Sequence, residues 1–171
     1  MRRKNREITD PDEIDEIIDK SDVCRIALSD NNVPYIVTLN FGYQKGEKPA
    51  LFFHCAPEGK KIDIIKRNST ACFQMSIDHE LMETGVRCNC GMLYRSVVGM
   101  GRISFVTGKS DKIEALNLLM KHFTGKERHN FKDAYIEQTT VLRLDISEIS
   151  GKKSEYPLGK PFGSKAYSSI A

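Results

Sequence analysis

The stretch of sequence that decides the fold reads Leu51-Phe52-Phe53-His54-Cys55-Ala56-Pro57-Glu58-Gly59-Lys60-Lys61. Its apolar run is typical of a buried strand, and the Pro and Gly that follow indicate a tight turn into a helix. The first amides of a helix carry unpaired N–H groups and a partial positive charge, so residues 59–61 predict an anion site, with phosphate as the natural ligand. Gly59 lets the backbone approach closely, and Lys60 and Lys61 add ammonium groups. Lysines in a first helical turn are often only solvated, and that alternative stays open.

Several short strands are predicted around this stretch. Their composition and turn residues place them at residues 24–29, 34–41, 50–55, 71–77, 94–106 and 140–146. Asp30-Asn31-Asn32 is expected to join the first two as a hairpin, and Lys45-Gly46-Glu47-Lys48-Pro49 gives a second turn of this kind. Six or more short strands suggest an antiparallel sheet that closes into a barrel, because closure removes exposed edges.

Three short helices are also expected. Asp10 is the predicted N-cap of the first, and Glu13 is placed to close a capping box. The other two are expected over residues 59–67 and 111–123. A second capping box, Asp111 with Glu114, is predicted to open the last helix.

Length and composition set the class of protein. The 171 residues fit one domain at residues 1–150, followed by a tail at residues 151–171 that is rich in Gly, Ser, Lys and Pro. We expect this tail to be flexible or to order on a partner subunit. No apolar stretch approaches the ~20 residues that span a bilayer, so we expect a soluble protein without membrane contact.

Charge and cysteine content limit the kinds of partner and the cellular compartment that we expect. A net charge of +3, from 26 basic and 23 acidic side chains, is too mild to suggest nucleic-acid binding. No apolar core of a signal peptide follows the basic first residues, so we expect a cytoplasmic protein. The five cysteines are then expected to be thiols. Cys88-Asn89-Cys90, near His79, lacks the second ligand pair of a structural zinc site, so no metal is expected. The surrounding residues 78–89 are expected to form a loop, in which the two cysteines could form a redox pair.

Two further stretches carry candidate binding residues. In Thr38-Leu39-Asn40-Phe41-Gly42-Tyr43, backbone groups near Asn40 could pair with the polar rim of a planar heterocycle, and Phe41 or Tyr43 could supply an apolar surface. A plain strand face is an equal alternative. In Tyr94-Arg95-Ser96-Val97-Val98-Gly99-Met100-Gly101-Arg102, Arg95 offers a bidentate phosphate donor and Ser96 a hydroxyl, although a bulged strand explains the same residues. His54 could contact a phosphate or a substrate, or satisfy a hydrogen bond within the fold.

Together and in this order, these stretches resemble the split-barrel proteins that bind flavin mononucleotide (FMN) and are related to pyridoxamine 5′-phosphate oxidase. Within them, the chain is most similar to the nitroimidazole-resistance (NimA-like) group. The most specific matches are Phe53-His54-Cys55-Ala56 with Gly59-Lys60-Lys61, and the run from Tyr94 to Gly101. The similarity extends from about Arg3 to Lys153.

The resemblance implies a six-stranded antiparallel split β-barrel, mainly β with short helices, that forms a homodimer with two FMN molecules, each bound by both chains. His54 would lie at the reactive face as the catalytic residue. The residues that the resemblance assigns to FMN binding are Thr38, Leu39, Asn40, Phe41, His54, Cys55, Ala56, Lys60, Lys61, Arg95, Ser96 and Val97.

The activity implied is that of an oxidoreductase. Reduced FMN would pass electrons to a small acceptor such as a nitroaromatic (for example a 5-nitroimidazole), a quinone or another flavin, with NADH or NADPH as a candidate donor. Pyridoxamine phosphate oxidases proper are expected to end in an Arg-Leu-x-Pro-like segment, where this chain has Ser168-Ser169-Ile170-Ala171, so a different substrate is expected. The alternative is a non-catalytic protein that binds or senses FMN or haem, with His79 or His122 as an iron ligand.

Overall fold

The computed structural model describes residues 4–83 and 90–154. After a 3₁₀ turn at Lys4–Arg6, the elements in chain order are β1 (Glu7–Ile8), α1 (Pro11–Lys20), β2 (Cys24–Asp30), β3 (Val33–Leu39), β4 (Gly42–Gln44), β5 (Ala50–Cys55), α2 (Lys60–Arg67), β6 (Thr70–Met82), β7 (Gly91–Val106), α3 (Lys109–Thr124), α4 (Asp133–Gln138) and β8 (Thr140–Ser154). All six predicted strands are present, together with the short β1 and β4. The prediction of a mainly β fold with short helices is confirmed.

The strands form one antiparallel sheet in the order β3-β2-β6-β7-β8-β5-β4, with β1 paired to β8. No pairing joins β3 to β4 among the described residues, so the expected closure of the barrel by hydrogen bonds is wrong. The physical reason is the path of the chain between these two edge strands. Only Asn40 and Phe41 separate them, and the chain runs on from β3 into β4 instead of folding back as a hairpin, so the two strands do not lie side by side. The curved sheet therefore remains open, as in a split barrel.

Two tight turns behave as their sequences predict. Asn31 and Asn32 have positive φ angles of 50° and 67° and connect Asp30 to Val33, which pair directly across the hairpin. Asn tolerates this left-handed conformation better than most residues, and a two-residue hairpin requires it. The second turn contains Gly46, with a φ of 120°, and brings β4 back onto β5.

Buried side chains form two clusters on opposite faces of β5. The larger lies inside the curved sheet and is built around Phe41, Phe53 and Phe73, against which α1 and α2 pack. The smaller joins Phe52 to Leu119 and its neighbours on α3. Because both faces of β5 are covered from Ala50 to Phe53, this strand reads as a continuous apolar run. His54 and Cys55 emerge where that cover ends.

The helix starts were predicted with mixed success. Asp10 caps α1 as predicted, since its Oδ1 accepts a hydrogen bond from the backbone N–H of Asp12 at 3.0 Å. The capping box of Asp111 with Glu114 is wrong. Helix α3 begins at Lys109, and its N-cap is Gly108, which has no side chain to cap it. The helix therefore starts earlier than the capping pattern indicated.

Strands β6 and β8 are longer than predicted. Strand β8 continues to Ser154, which pairs with Tyr94, so the first four residues assigned to the tail are in the sheet. Residues 78–82 lie in β6 rather than in a loop, after a register shift that follows Ile77. The rest of the tail, and Cys88 in the predicted loop, are outside the described residues. No helix within the described ranges is long and apolar enough to span a membrane.

Candidate functional site

The turn into α2 has the geometry of an open anion site. Gly59 is the N-cap residue, with φ 121° and ψ 167°, and no side chain caps the helix. Residues that carry a side chain rarely adopt this φ, so Gly is required here. The first amide bound within the helix is that of Ile62, which donates to the carbonyl of Gly59 at 2.8 Å. The N–H groups of residues 59–61 therefore have no intrahelical acceptor.

Two lysines stand at this helix start. The Lys60 side chain is exposed, and its Nζ lies 5.1 Å from the centre of the Tyr35 ring on β3. This contact directs the ammonium group toward the strand that precedes Asn40. Lys61 is half-buried and lies close enough to Cys55 to influence its thiol. Lys60 thus lies beside the first half of β3 and Lys61 beside the end of β5, and their two positive charges meet at the start of α2.

His54 is presented at the end of β5. It pairs with Val141 of β8 through the backbone, but its side chain is exposed and its ring has no hydrogen-bond partner within the described part of the chain. Among residues 4–83 and 90–154, then, the ring satisfies no hydrogen bond of the fold. The ring is available to a ligand.

Cys55 and Ala56 follow His54 in the turn. Burial raises the pKa of the Cys55 thiol, and nearby Lys61 opposes this only in part. The side chain is consequently a neutral thiol packed against the core. Ala56 is exposed and offers its backbone.

The end of β3 separates into exposed and buried positions. Thr38 and Asn40 are exposed, whereas Leu39 packs against the core. Phe41 is fully buried, and its ring centre lies 4.3 Å from that of His122. The hydroxyl of Tyr43 donates a hydrogen bond to Asp15 at 2.7 Å, and burial raises the pKa of this phenol. Neither aromatic ring forms the open apolar surface that the sequence suggested.

Arg95 is paired with carboxylates of its own chain. Its Nε lies 2.6 Å from Asp78 and its Nη1 lies 2.7 Å from Glu16, with Glu13 at 3.9 Å. The hydrogen bond with Glu16 and that with Asp78 raise the pKa of Arg95, and Arg95 and Lys20 hold the pKa of Glu16 at about 2. The guanidinium thus ties α1 to β6 and β7 of the same chain.

The two residues after Arg95 do not reach the α2 turn either. The hydroxyl of Ser96 donates to the carbonyl of Lys152 at 3.4 Å, and Val97 is fully buried in the core. One chain therefore does not bring residues 95–97 together with the lysines of α2. Their contribution to a site shared with a second subunit stays a prediction.

A cavity of about 460 Å³ opens beside His54 and Asn40. Its other walls come from α3, α4 and the residues beside them, and they are mostly apolar. Sequence reasoning missed this cavity, because it predicted the helix over residues 111–123 without assigning a ligand to the apolar stripe of Ile113, Leu116, Met120 and Phe123. The sequence carries no separate signal for it, since the 45% exposure of Phe123 appears only in the fold.

The remaining histidines have separate places in the fold. The Nε2 of His122 lies 2.8 Å from the carbonyl oxygen of Ser21, so this ring joins α3 to the end of α1. His79 is exposed on β6. Within residues 4–83 and 90–154, no three His, Cys, Asp or Glu side chains converge as metal ligands.

The chain matches the model of a known protein family. The family model described as pyridoxamine 5′-phosphate oxidase matches residues 10–153. The chain belongs to this family. The match spans every strand from β2 to β7 and nearly all of β8, so it includes the α2 turn and His54. No curated protein matches the sequence significantly.

Solved structures agree with this family fold. A candidate 5-nitroimidazole antibiotic resistance protein from Bacteroides thetaiotaomicron is 29% identical, with a TM-score of 0.76 over 87% of this chain and 90% of that one. The flavocytochrome Anf3 of Azotobacter vinelandii is 20% identical, with a TM-score of 0.77 over 99% and 79%. A protein of Mycobacterium smegmatis that binds FAD and haem is 17% identical, with a TM-score of 0.76 over 88% and 74%. At 20% and 17% identity, the likeness to the last two proteins shows a shared fold.

Proposed function

We propose that the protein binds FMN and passes electrons from the reduced cofactor to a small acceptor. The observation that carries this proposal is the uncapped start of α2, where Gly59, Lys60 and Lys61 form a positive cradle, in the same strand–turn–helix stretch that presents His54 at the end of β5. The similarity to a candidate nitroimidazole-resistance protein and to proteins that bind flavins supports it.

The residues present fit the phosphate of FMN. A phosphate dianion is stabilised by free amides at a helix start and by neighbouring ammonium groups. No atom lies within 4 Å of the position that a Cβ would take at Gly59, so the cradle is open to a ligand. A neutral thiol at Cys55 adds no negative charge that would oppose the phosphate.

The flanking residues have distinct roles in this proposal. Lys60 and Lys61 bind the phosphate, and the exposed Asn40 donates a hydrogen bond to the polar edge of the flavin ring. Bound FMN supplies the hydride or electron chemistry. His54, exposed at the mouth of the site, holds a proton on its ring for the reduced acceptor.

We also propose that the working unit is a homodimer. Ile36, Ala27, Cys72 and Met100 lie in one row across the neighbouring strands β3, β2, β6 and β7. Ile36 and Met100 are exposed, as is Val98 two positions before Met100. An apolar row of this kind on an outer sheet face favours burial against a second subunit. Light scattering should give twice the mass of one chain, and Met100→Lys should shift the protein toward the monomer.

The spectrum of the purified protein tests the proposed function. We expect flavin absorption after purification, or stoichiometric uptake of FMN by the apoprotein with quenching of flavin fluorescence. NADH or NADPH should bleach the bound flavin, and menadione or metronidazole should restore its colour without oxygen. A protein that neither carries nor takes up FMN would refute the proposal, and a Soret band would support the haem-binding alternative instead.

A further inference from the structure

Asn40 lies in the two-residue connection between β3 and β4. Its side chain is exposed and has no hydrogen-bond partner within the part of the chain that the structure describes. A side chain without such a partner is held only through its own backbone. The position of Asn40 therefore depends on how the residues on either side of it are anchored.

The residues that follow Asn40 are anchored on α3. Phe41 is fully buried, and its ring centre lies 4.3 Å from that of His122, with 46° between the ring planes. At Gly42, a Cβ would lie 2.5 Å from the backbone nitrogen of Leu119, so only glycine lets β4 approach the helix this closely. Leu119 and His122 are three residues apart and lie on one side of α3. One turn of this helix thus holds both residues 41 and 42.

The His122 ring is fixed by further contacts besides the one with Phe41. Its Nε2 lies 2.8 Å from the carbonyl oxygen of Ser21, and this nitrogen is the donor because a carbonyl only accepts. Ser21 is buried, and its hydroxyl donates to the carbonyl of Ile17 at 2.7 Å. Phe123 meets the other side of the ring edge-on, with the ring centres 4.7 Å apart. The end of α1, α3 and the β3–β4 connection therefore meet at this ring.

His122 stands behind the candidate site and is not part of its surface. It is absent from the lining of the cavity beside His54, whereas Asn40 and Phe123 belong to that lining. Its donor nitrogen is already used within the fold. Any effect of His122 on a ligand must therefore pass through the residues that its ring contacts.

We propose that His122 is a positioning residue for the flavin site: its ring holds Phe41 in place and thereby fixes the preceding residue, Asn40, for its hydrogen bond to the polar edge of the flavin. The part that concerns the flavin rests on the proposed function, whereas the link from His122 to Asn40 does not. A hydrogen-bond donor that is ordered before the ligand arrives loses less conformational entropy on binding. The anchored Phe41 supplies this order.

Backbone relaxation of the ¹⁵N-labelled apoprotein tests the link from His122 to Asn40. His122→Gln removes the ring but keeps a side-chain N–H for Ser21, and we expect the order parameter of the Asn40 amide to fall from about 0.85 to below ~0.6. His122→Phe keeps a ring against Phe41 and removes the donor to Ser21. In that variant Asn40 should stay ordered while the protein loses stability. Unchanged order at Asn40 in His122→Gln would overturn the proposal.

Titration with FMN tests the consequence for the flavin site. His122→Gln and Asn40→Ala should each weaken binding roughly 3- to 10-fold, the effect of one modest hydrogen bond. The double variant should bind no more weakly than Asn40→Ala alone, because both changes remove the same contact. The less stable His122→Phe should bind FMN within about twofold of the wild type.

A merely structural role of His122 gives different results. The loss in His122→Gln would then add to that in Asn40→Ala, or His122→Phe would bind FMN as weakly as His122→Gln. Either result, in a protein that takes up FMN, would overturn the positioning role and leave the proposed function standing. Loss of order at Asn40 in His122→Gln, in a protein that takes up no FMN, would support the link between these residues and refute the flavin function.

Discussion

Replacement of Arg95 distinguishes a structural role from a role in phosphate binding. Its side chain is only 13% exposed and makes two short charge-assisted hydrogen bonds, to Asp78 and Glu16. Such a bond contributes about 1.5–3 kcal/mol when well shielded, and partial exposure of Asp78 reduces the contribution of its bond toward ~1 kcal/mol. Arg95→Met keeps the length of the side chain but takes this partner from Asp78, whereas Glu16 retains Lys20. We expect a loss of about 1–2 kcal/mol in the free energy of unfolding.

Urea unfolding and FMN titration of the same variant give the two readouts. For a domain of this size, the expected loss corresponds to a decrease in Tm of roughly 2–8 °C. Arg102→Met, on an exposed position of the same strand, should change stability by no more than about 0.5 kcal/mol. The affinity of folded Arg95→Met for FMN should match that of the wild type. Unchanged stability with a tenfold or greater loss of FMN affinity would refute this reasoning and restore Arg95 as a phosphate ligand.

Three further predictions concern the site and the ion pairs. Lys60→Gln with Lys61→Gln should weaken FMN binding by roughly 5- to 100-fold, because two ammonium contacts with the phosphate are lost, whereas Lys66→Gln at the other end of α2 should leave the dissociation constant from fluorescence titration nearly unchanged. His54→Asn should slow reoxidation of the reduced protein by menadione about 100-fold or more in stopped-flow experiments, with FMN affinity retained, and an unchanged rate would remove His54 as the proton donor. Because the pKa of Glu16 is lowered from 4.5 to about 2, its stabilisation is complete above pH 4.5 and is lost as the pH falls toward 2. Glu16→Gln should therefore flatten the decline in the free energy of unfolding over that interval, and a decline as steep as in the wild type would contradict the ion pair.

Local signals predicted much of the fold. The positive φ angles of Asn31 and Asn32, the cap at Asp10 and the start of α2 at Gly59 each depend on residues close in sequence. The continuous apolar run of β5 could be identified for a similar reason, since burial on both faces removes the usual alternation. These features require no knowledge of which strands are neighbours.

Features that depend on distant residues could not be predicted in the same way. Arg95 is separated by 79 residues from Glu16, and nothing near either residue indicates their pairing. A free Arg on a strand fits phosphate binding equally well from sequence alone. The openness of the sheet likewise depends on how β3 and β4 are placed at opposite edges, which only the complete topology shows.

The candidate site likewise has one part that neighbouring residues predict and one part that depends on distant residues. The cradle at residues 59–61 and the exposed His54 were found from a contiguous stretch. The cavity required α3 and α4, which begin 48 or more residues after Lys61, to pack beside that stretch. Its lining has ordinary core composition, so only the packing shows that part of the stripe of α3 remains uncovered.

The most direct test of the central claim compares FMN with riboflavin, which lacks the phosphate, by ¹⁵N NMR of the backbone amides. We expect FMN to shift the N–H signals of Gly59, Lys60 and Lys61 strongly downfield, as charge-assisted hydrogen bonds form to its phosphate. Riboflavin should bind more weakly and leave these three signals nearly in place. Equal affinity for the two flavins, with no selective change at residues 59–61, would contradict the claim that the start of α2 holds the phosphate.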